Sequence, residues 1–163
     1  DGNLIATWYE GRWGLITSLE GHREDLIIFD PDGNIKLRIP SFISSQTGSL
    51  SLDNYPAVDG LGNIYSLSDG LVYKFSSSGK YIDRFGSTGN LPGQFQFPRS
   101  ITVDGKGRVY IGDSRIVHVF SPDGQFLTDF PIDISADVMT FDETGSLWVL
   151  SNDKVMKFTL TRN

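Results

Sequence analysis

The sequence of 163 residues predicts an all-β protein built from repeated antiparallel sheets, and two recurring markers support this fold class. The first marker is a glycine that opens an alternating apolar segment three residues after an aspartate. It occurs at Gly62, Gly107 and Gly145, which follow Asp59, Asp104 and Asp142. The second marker is a phenylalanine thirteen residues after each glycine, at Phe75, Phe120 and Phe158. The constant spacing predicts the same pair of strands each time, with glycine supplying the positive φ that a tight reversal needs.

A further copy begins at the start of the chain, with a segment inserted into it. The turn Phe29-Asp-Pro-Asp-Gly33 repeats the spacing of Phe120-Ser-Pro-Asp-Gly124. Its matching first marker is Gly2, which lies 27 residues before Phe29 rather than thirteen. We therefore predict an insertion of 14 residues, from about Glu10 to Arg23.

The phenylalanine markers are 46, 45 and 38 residues apart, from Phe29 through Phe75 and Phe120 to Phe158. A period of this length is typical of a β-propeller blade of four strands. The segments between turns are rich in Val, Ile, Phe and Tyr and alternate with period two, whereas no stretch shows helical periodicity. The predicted blades are residues 1–52, 53–97, 98–135 and 136–163.

Residues 85–126 carry the most specific motif in the chain. They contain the connection Phe85-Gly-Ser-Thr-Gly-Asn-Leu-Pro-Gly-Gln-Phe-Gln-Phe-Pro98, the strand Gly107-Arg-Val-Tyr-Ile-Gly-Asp113 and the turn Val119-Phe-Ser-Pro-Asp-Gly-Gln-Phe126. This stretch resembles an NHL repeat, and the resemblance implies an NHL-type β-propeller whose rings commonly have six blades. The chain departs from that family where Asp113 is replaced by Ser68 and Ser151 in the neighbouring repeats.

The two ends of the repeat array predict incomplete blades. Blades 2 and 3 have sequence for all four strands, blade 1 lacks its inner strand, and blade 4 lacks its outer strand. One end therefore cannot complete the other, although propellers usually close in that way. We expect a segment of a larger ring, completed by further blades or by another chain, and a self-contained ring of four blades is the alternative.

Composition restricts the partners. The net charge of −6 repels phosphate backbones, so we expect no nucleic-acid partner. No apolar run approaches the roughly 20 residues of a membrane-spanning helix. The chain has no cysteine, which leaves the compartment open, and we favour an extracellular or periplasmic setting over a cytoplasmic one.

Candidate binding residues lie on the face that carries the turns between the second and third strands of each blade and the connections between blades. Propeller partners usually use this face, and Trp, Tyr and Arg are frequent interface anchors. The alternative for Trp8 and Trp13 is that they pack a longer hairpin against its own blade. The predicted binding residues are Trp8, Arg12, Trp13, His22, Arg23, Asp69, Arg99, Asp113 and Arg115.

The sequence does not support a specific catalytic chemistry. The acidic turns Asp30-Pro-Asp-Gly33, Asp104-Gly-Lys-Gly107 and Ser121-Pro-Asp-Gly124 could suggest calcium, but each lacks a later bidentate acid and matches ordinary hairpin turns. His22 and His118 are too few for a catalytic zinc site. No serine, histidine and acid triad is evident. We therefore expect no cofactor, with calcium as the exception left open.

The predicted function is a non-enzymatic scaffold that presents its loops to a protein, a peptide or a glycan. The alternative is a metal-dependent lyase or lactonase-like propeller with a site in the central channel. That alternative requires inward-facing ligands on several blades, for which Asp53, Asn54 and Asp137 are the candidates in this chain. We favour the scaffold because the repeats are strong and no convergent catalytic set is visible.

Overall fold

The computed structural model describes residues 2–10, 23–51 and 53–160. Within them the chain forms four antiparallel sheets, each made of strands that follow one another in sequence. Sheet 1 contains β1 (Leu4–Glu10), β2 (Arg23–Phe29) and β3 (Ile35–Pro40). Sheet 2 contains β4 (Asn54–Val58), β5 (Ile64–Ser68), β6 (Leu71–Phe75) and β7 (Tyr81–Phe85).

Sheets 3 and 4 continue the same order. Sheet 3 contains β8 (Pro98–Val103), β9 (Val109–Asp113), β10 (Ile116–Phe120) and β11 (Phe126–Pro131). Sheet 4 contains β12 (Val138–Phe141), β13 (Leu147–Leu150) and β14 (Val155–Phe158). One helical turn, α1 (Ser44–Thr47), lies in the connection between sheets 1 and 2. In the described part of the chain no helix has the length and apolar character needed to cross a membrane.

The aspartate of the repeated turn organises the reversal between the first two strands of a sheet. In sheet 3, Asp104 Oδ1 accepts the backbone N–H groups of Lys106 and Arg108, both at 2.9 Å. Its Oδ2 accepts the hydroxyl of Tyr110 at 3.3 Å. Asp59 and Asp142 make the same set of bonds in sheets 2 and 4. The recurrence of aspartate and of an aromatic residue six positions later thus has a local cause, because the carboxylate satisfies turn amides and one ring donor.

The core consists of apolar layers between successive sheets. Leu26 and Ile28 of sheet 1 pack with Ile64 and Phe75 of sheet 2. Tyr65, Leu67 and Val72 on the other side of sheet 2 pack with residues of sheet 3, and Tyr110 and Val117 of sheet 3 pack with sheet 4. Tyr65 and Tyr110, which occupy the same position in their repeats, both pack between sheets. Each sheet is buried on both faces only where it has two neighbours.

The four sheets do not close into a ring. Contacts between sheets run from each sheet to the next along the chain, mainly through β4, β8 and β12. The terminal sheets are consequently exposed at positions that are buried elsewhere. Leu4 is 62% exposed, whereas Ile64 at the equivalent position of sheet 2 is fully buried. Val155 is 61% exposed, whereas the equivalent Val72 is fully buried.

Candidate binding site

A cavity of about 370 Å³ opens between sheets 2 and 3. It lies on the end of the sheets that carries the β5–β6 and β9–β10 turns and the connections between sheets, which we call the loop face. Sheet 2 supplies one wall through the end of β5 and the turn after it. The residues before and at the start of β8 supply the other wall. The lining residues are Asp53, Tyr55, Leu67, Ser68, Asp69, Gly70, Phe97, Pro98 and Arg99.

The acidic rim of this cavity comes from a tight hairpin turn. Ser68 pairs with Leu71, so only Asp69 and Gly70 form the reversal. Both have positive φ, at 50° and 73°, which matches the twist of the two flanking strands. Asparagine, aspartate and glycine tolerate this conformation best, and the turn therefore holds the exposed Asp69 side chain at the cavity rim.

The basic group of the cavity comes from an irregularity in β8. The register of β8 on β9 shifts between Pro98 and Ser100, which leaves Arg99 as the extra residue. A bulge of this kind changes the direction of a side chain relative to a regular strand. Arg99 is exposed, while Ser100 is buried and donates its hydroxyl to the carbonyl of Ala136 at 2.6 Å. The bulge therefore directs a cation to the loop face, while Ser100 keeps its contact with the connection that precedes β12.

The aromatic wall is held by a buried carboxylate. Phe97 is 66% exposed, and its backbone N–H donates to Asp113 Oδ1 at 2.7 Å. The neighbouring N–H of Gln96 donates to Asp113 Oδ2, also at 2.7 Å. Asp113 itself is 5% exposed, so its carboxylate faces these amides. In sheet 2 the equivalent Ser68 has a buried hydroxyl without a partner among the described residues, so this anchor belongs to sheet 3.

The cavity has the chemistry of a site for a ligand with both polar and apolar parts. Asp53 and Asp69 are exposed acceptors, Arg99 is an exposed donor, and Phe97 and Tyr55 supply aromatic surface. Pockets of about 300 Å³ or more with a few placed polar groups are typical ligand sites. The predicted residues Asp69 and Arg99 therefore meet at one place, together with Phe97, which the sequence analysis did not single out.

A second group of predicted residues lies on sheet 1. The guanidinium of Arg23 lies 5.8 Å from the centre of the Trp8 ring, and that of Arg38 lies 5.3 Å from it. The carboxylate of the buried Asp25 forms an ion pair with Arg23 Nε at 3.0 Å and accepts a hydrogen bond from Arg38 Nε at 2.6 Å. Trp8 is 42% exposed, so it stacks with cations rather than entering the core.

The other predicted binding residues have different positions. Arg115 is exposed in the β9–β10 turn, where its carbonyl accepts the N–H of Ile132 at 2.8 Å. Arg12, Trp13 and His22 lie outside the described residues. Glu10 pairs with Arg23 at the end of the β1–β2 hairpin, which is where the predicted insertion begins and ends.

A larger cavity of about 840 Å³ lies on the opposite end, between sheets 1 and 2. Among the described residues, none of the predicted binding residues lines it. Its walls include Ile5 and Ile28 of sheet 1, and Leu61 is 84% exposed beside it. It borders β1, which pairs only with β2 among the described residues.

The described side chains with shifted pKa values lie mainly in and beside the repeated turns, and none of them lines the cavity between sheets 2 and 3. Burial, and then the charge of Asp59, raises the pKa of Tyr65 to about 12. Burial and Asp104 likewise raise the pKa of Tyr110 to about 12. The hydroxyl of Thr144 and the indole N–H of Trp148 lower the pKa of Asp142. These groups form hydrogen bonds within the repeated turns. The expectation of no cofactor, with calcium left open, stays a prediction.

No family model matches the chain, and no curated protein sequence matches it. Solved structures share its fold. A gluconolactonase from Xanthomonas campestris is 22% identical with a TM-score of 0.52, over 78% of this chain and 41% of that one. BamB from Moraxella catarrhalis is 15% identical with a TM-score of 0.53, over 83% of this chain and 39% of that one.

The extracellular domain of a candidate hybrid two component system in B. thetaiotaomicron is 17% identical with a TM-score of 0.54. That match covers 88% of this chain and 22% of that one. These structures are β-propellers, and the chain is an all-β protein with the same kind of fold. It spans less than half the length of each of these structures.

Proposed function

We propose that this chain is a non-enzymatic binding module that takes its ligand on the loop face, in the cavity between sheets 2 and 3. The carrying observation is that Asp69, Arg99 and the exposed Phe97 line one cavity. A hairpin turn positions Asp69, a bulge positions Arg99, and the carboxylate of Asp113 anchors the backbone of Phe97. Rigid strands that hold variable loops are a general arrangement for recognition. The ligand class we propose is a protein segment, a peptide or a glycan.

The test is a binding screen with matched variants. The fluorescently labelled protein is applied to an oligosaccharide array and to a peptide array, and each hit is then measured by calorimetry. Arg99→Ala and Phe97→Ser should each weaken a true hit by about tenfold or more. Lys106→Ala removes an exposed cation from the opposite end of sheet 3 and should leave binding unchanged. Hits that all three variants bind equally well would contradict the proposed site.

A metal-dependent function of lactonase type is the alternative. The fold is shared with a gluconolactonase, and Asp53, Asn54 and Asp137 lie at or just before the first residues of inner strands. Asp137 accepts the hydroxyl of Ser135 at 2.7 Å, and Asn54 donates to the carbonyl of Ser51 at 2.6 Å. In residues 2–10, 23–51 and 53–160 no group of three His, Asp or Glu side chains has an arrangement that could hold a metal ion. Stoichiometric metal in the purified protein that is lost in Asp53→Asn would favour this alternative over the binding module.

We also propose that the four sheets are blades of an NHL-type ring with more blades, six being the expected number. The blade boundaries 1–52, 53–97, 98–135 and 136–163 belong to the same proposal. The exposed faces at Leu4 and Val155 support it, because further blades or another chain would cover them. Light scattering should then report association of the isolated chain. A stable monomer whose Leu4 and Val155 faces are protected from labelling would contradict a larger ring.

The proposed setting is extracellular or periplasmic, in keeping with the extracellular domain from B. thetaiotaomicron. We further propose that nucleic acid is not a partner, because the net charge is −6. Micromolar binding of RNA with a steep salt dependence in a filter assay would contradict this.

A further inference from the structure

His118 lies on β10 between two carboxylates. Its Nε2 is 3.6 Å from Asp113 Oδ2, and its Nδ1 is 3.9 Å from Asp129 Oδ2. The side chains of His118 and Asp113 are 7% and 6% exposed, whereas that of Asp129 is 48% exposed. Among the residues that the structure describes, neither ring nitrogen has a hydrogen-bond partner. Both distances are slightly longer than a hydrogen bond, so each carboxylate needs only a small movement to reach its ring nitrogen.

Aromatic rings limit the access of water to this imidazole. The ring of Phe95 packs edge-on at a centroid distance of 5.5 Å, and the ring of Phe126 lies at 6.4 Å. A neutral imidazole has one donor and one acceptor, and each carboxylate can satisfy only a donor. The imidazolium has two N–H donors, and each of them faces a carboxylate. Protonation therefore converts two unpartnered nitrogens into two possible charge-assisted hydrogen bonds.

The charged side chains that face His118 are the two carboxylates of Asp113 and Asp129. β9 contributes Asp113 and β11 contributes Asp129, while β10 has no other charged residue. The connection formed by residues 86–97 packs against the ring through Phe95 and contains no charged side chain. The turn residue Arg115 is exposed. The charge state of His118 thus acts mainly on two carboxylates, one of which is the anchor of the connection.

Asp113 links His118 to the proposed cavity. The oxygen that approaches His118 also accepts the N–H of Gln96 at 2.7 Å, and the other oxygen accepts the N–H of Phe97. Phe97 forms the aromatic wall of the cavity. A cation beside Asp113 keeps this carboxylate charged and oriented. A neutral ring leaves the carboxylate held by the two amides alone.

We propose that His118 is a proton-controlled positioning residue, whose protonation draws in Asp113 and Asp129 and tightens the connection that carries Phe97. The protonated form of His118 holds the connection more firmly than the neutral form does, because only the protonated ring can donate to both carboxylates. As a regulation of ligand binding, the inference rests on the proposed function of the cavity. The tightening of the connection does not, because it occurs without a ligand.

The test is amide exchange by NMR on the ligand-free protein at pH 5.5 and 7.5, corrected for intrinsic exchange rates. In the wild-type protein the Gln96 and Phe97 amides should be protected roughly tenfold more at pH 5.5. The Asn63 amide, which donates to Asp59 at 2.8 Å, is the internal control. Its protection should be the same at pH 5.5 and 7.5. His118→Gln should abolish the difference in protection between pH 5.5 and 7.5 at Gln96 and Phe97. His22→Gln should retain this difference.

A second variant keeps the test decisive if His118→Gln does not fold. Asp129→Asn changes a half-exposed side chain and should reduce the pH ratio while Asp113 still anchors the amides. Equal protection of the Gln96 and Phe97 amides at pH 5.5 and 7.5 in the wild-type protein would overturn the proposal. An unchanged pH dependence of this protection in His118→Gln or Asp129→Asn would also overturn it. Because no ligand is present, these results leave the cavity proposal standing. Equal binding by Arg99→Ala and wild-type protein contradicts the cavity and leaves the role of His118 intact.

Discussion

The carboxylate of Asp113 accepts the backbone N–H of Phe97 at 2.7 Å, across 16 residues of sequence. Its second oxygen accepts the N–H of Gln96 at the same distance. A side chain at the end of β9 therefore determines where the chain runs before it enters β8. One wall of the proposed cavity depends on this contact.

Asp113→Asn should loosen that anchor while preserving the shape of the side chain. The amide group replaces one acceptor by a donor that faces a backbone N–H, so a buried bond to a charged group is lost. We expect the free energy of unfolding to fall by about 2 kcal/mol, measured by urea denaturation. Limited proteolysis should cut faster within residues 86–97. Asp153→Asn, in the exposed β13–β14 turn, is the control, and equal urea midpoints for the two variants would contradict the anchor.

Gly112→Ala should destabilise the contact between β9 and the connection that precedes β12. A Cβ at this position would lie 2.6 Å from the Cβ of Ala136 and 2.8 Å from its carbonyl oxygen. Because one of these atoms is backbone, the strand must shift, and we expect a loss of about 1–3 kcal/mol in urea unfolding. Gly105→Ala is the matched control, since a Cβ there meets nothing within 4 Å. Equal stabilities of the two variants would show that the sheets adjust freely at Gly112.

Phe120→Ala should cost more stability than Phe158→Ala, although both residues mark the same place in their repeats. Phe120 is 2% exposed and packs against Phe85 at a centroid distance of 5.1 Å and against Phe95 at 5.7 Å. Phe158 is only partly buried, on the last strand of sheet 4. We expect about 3–5 kcal/mol for Phe120→Ala and a clearly smaller loss for Phe158→Ala. Equal losses in urea unfolding would mean that sheet 4 is covered in solution.

Asp142 should contribute to the loss of stability in acid. The hydroxyl of Thr144, the indole N–H of Trp148 and the N–H of Ser146 hold its pKa below the ordinary value of 3.8. The unfolded chain therefore binds a proton before the folded chain does. The contribution is fully present above pH 3.8 and disappears as the pH falls through the lower folded value.

The test for Asp142 is the urea midpoint measured between pH 5 and 2.5. Asp142→Asn should flatten the decline on the acid side of the profile relative to the wild-type protein. Asp153→Asn again serves as the exposed control, with the wild-type slope expected. A decline in Asp142→Asn as steep as in the wild type would assign the acid sensitivity to other carboxylates.

The sequence by itself determined the repeated sheets, because their signals are local. Gly62 and Gly107 have φ values of 82° and 78°, and the aspartate three residues before each accepts the turn amides. Alternation with period two places Tyr65 on the face that packs against the next sheet. Turn geometry and strand alternation both act within a few residues, so they can be read directly from the spacing.

Only the tertiary structure decided where the predicted binding residues lie and which groups they contact. Asp69 and Arg99 lie 30 positions apart and meet because β5 and β8 stand side by side. The carboxylate of Asp113, predicted as a binding residue, faces backbone amides 16 and 17 positions earlier. The direction of Arg99 depends on a bulge that appears only when β8 pairs with β9. Contacts between distant residues depend on the packing of whole sheets, and no local spacing encodes them.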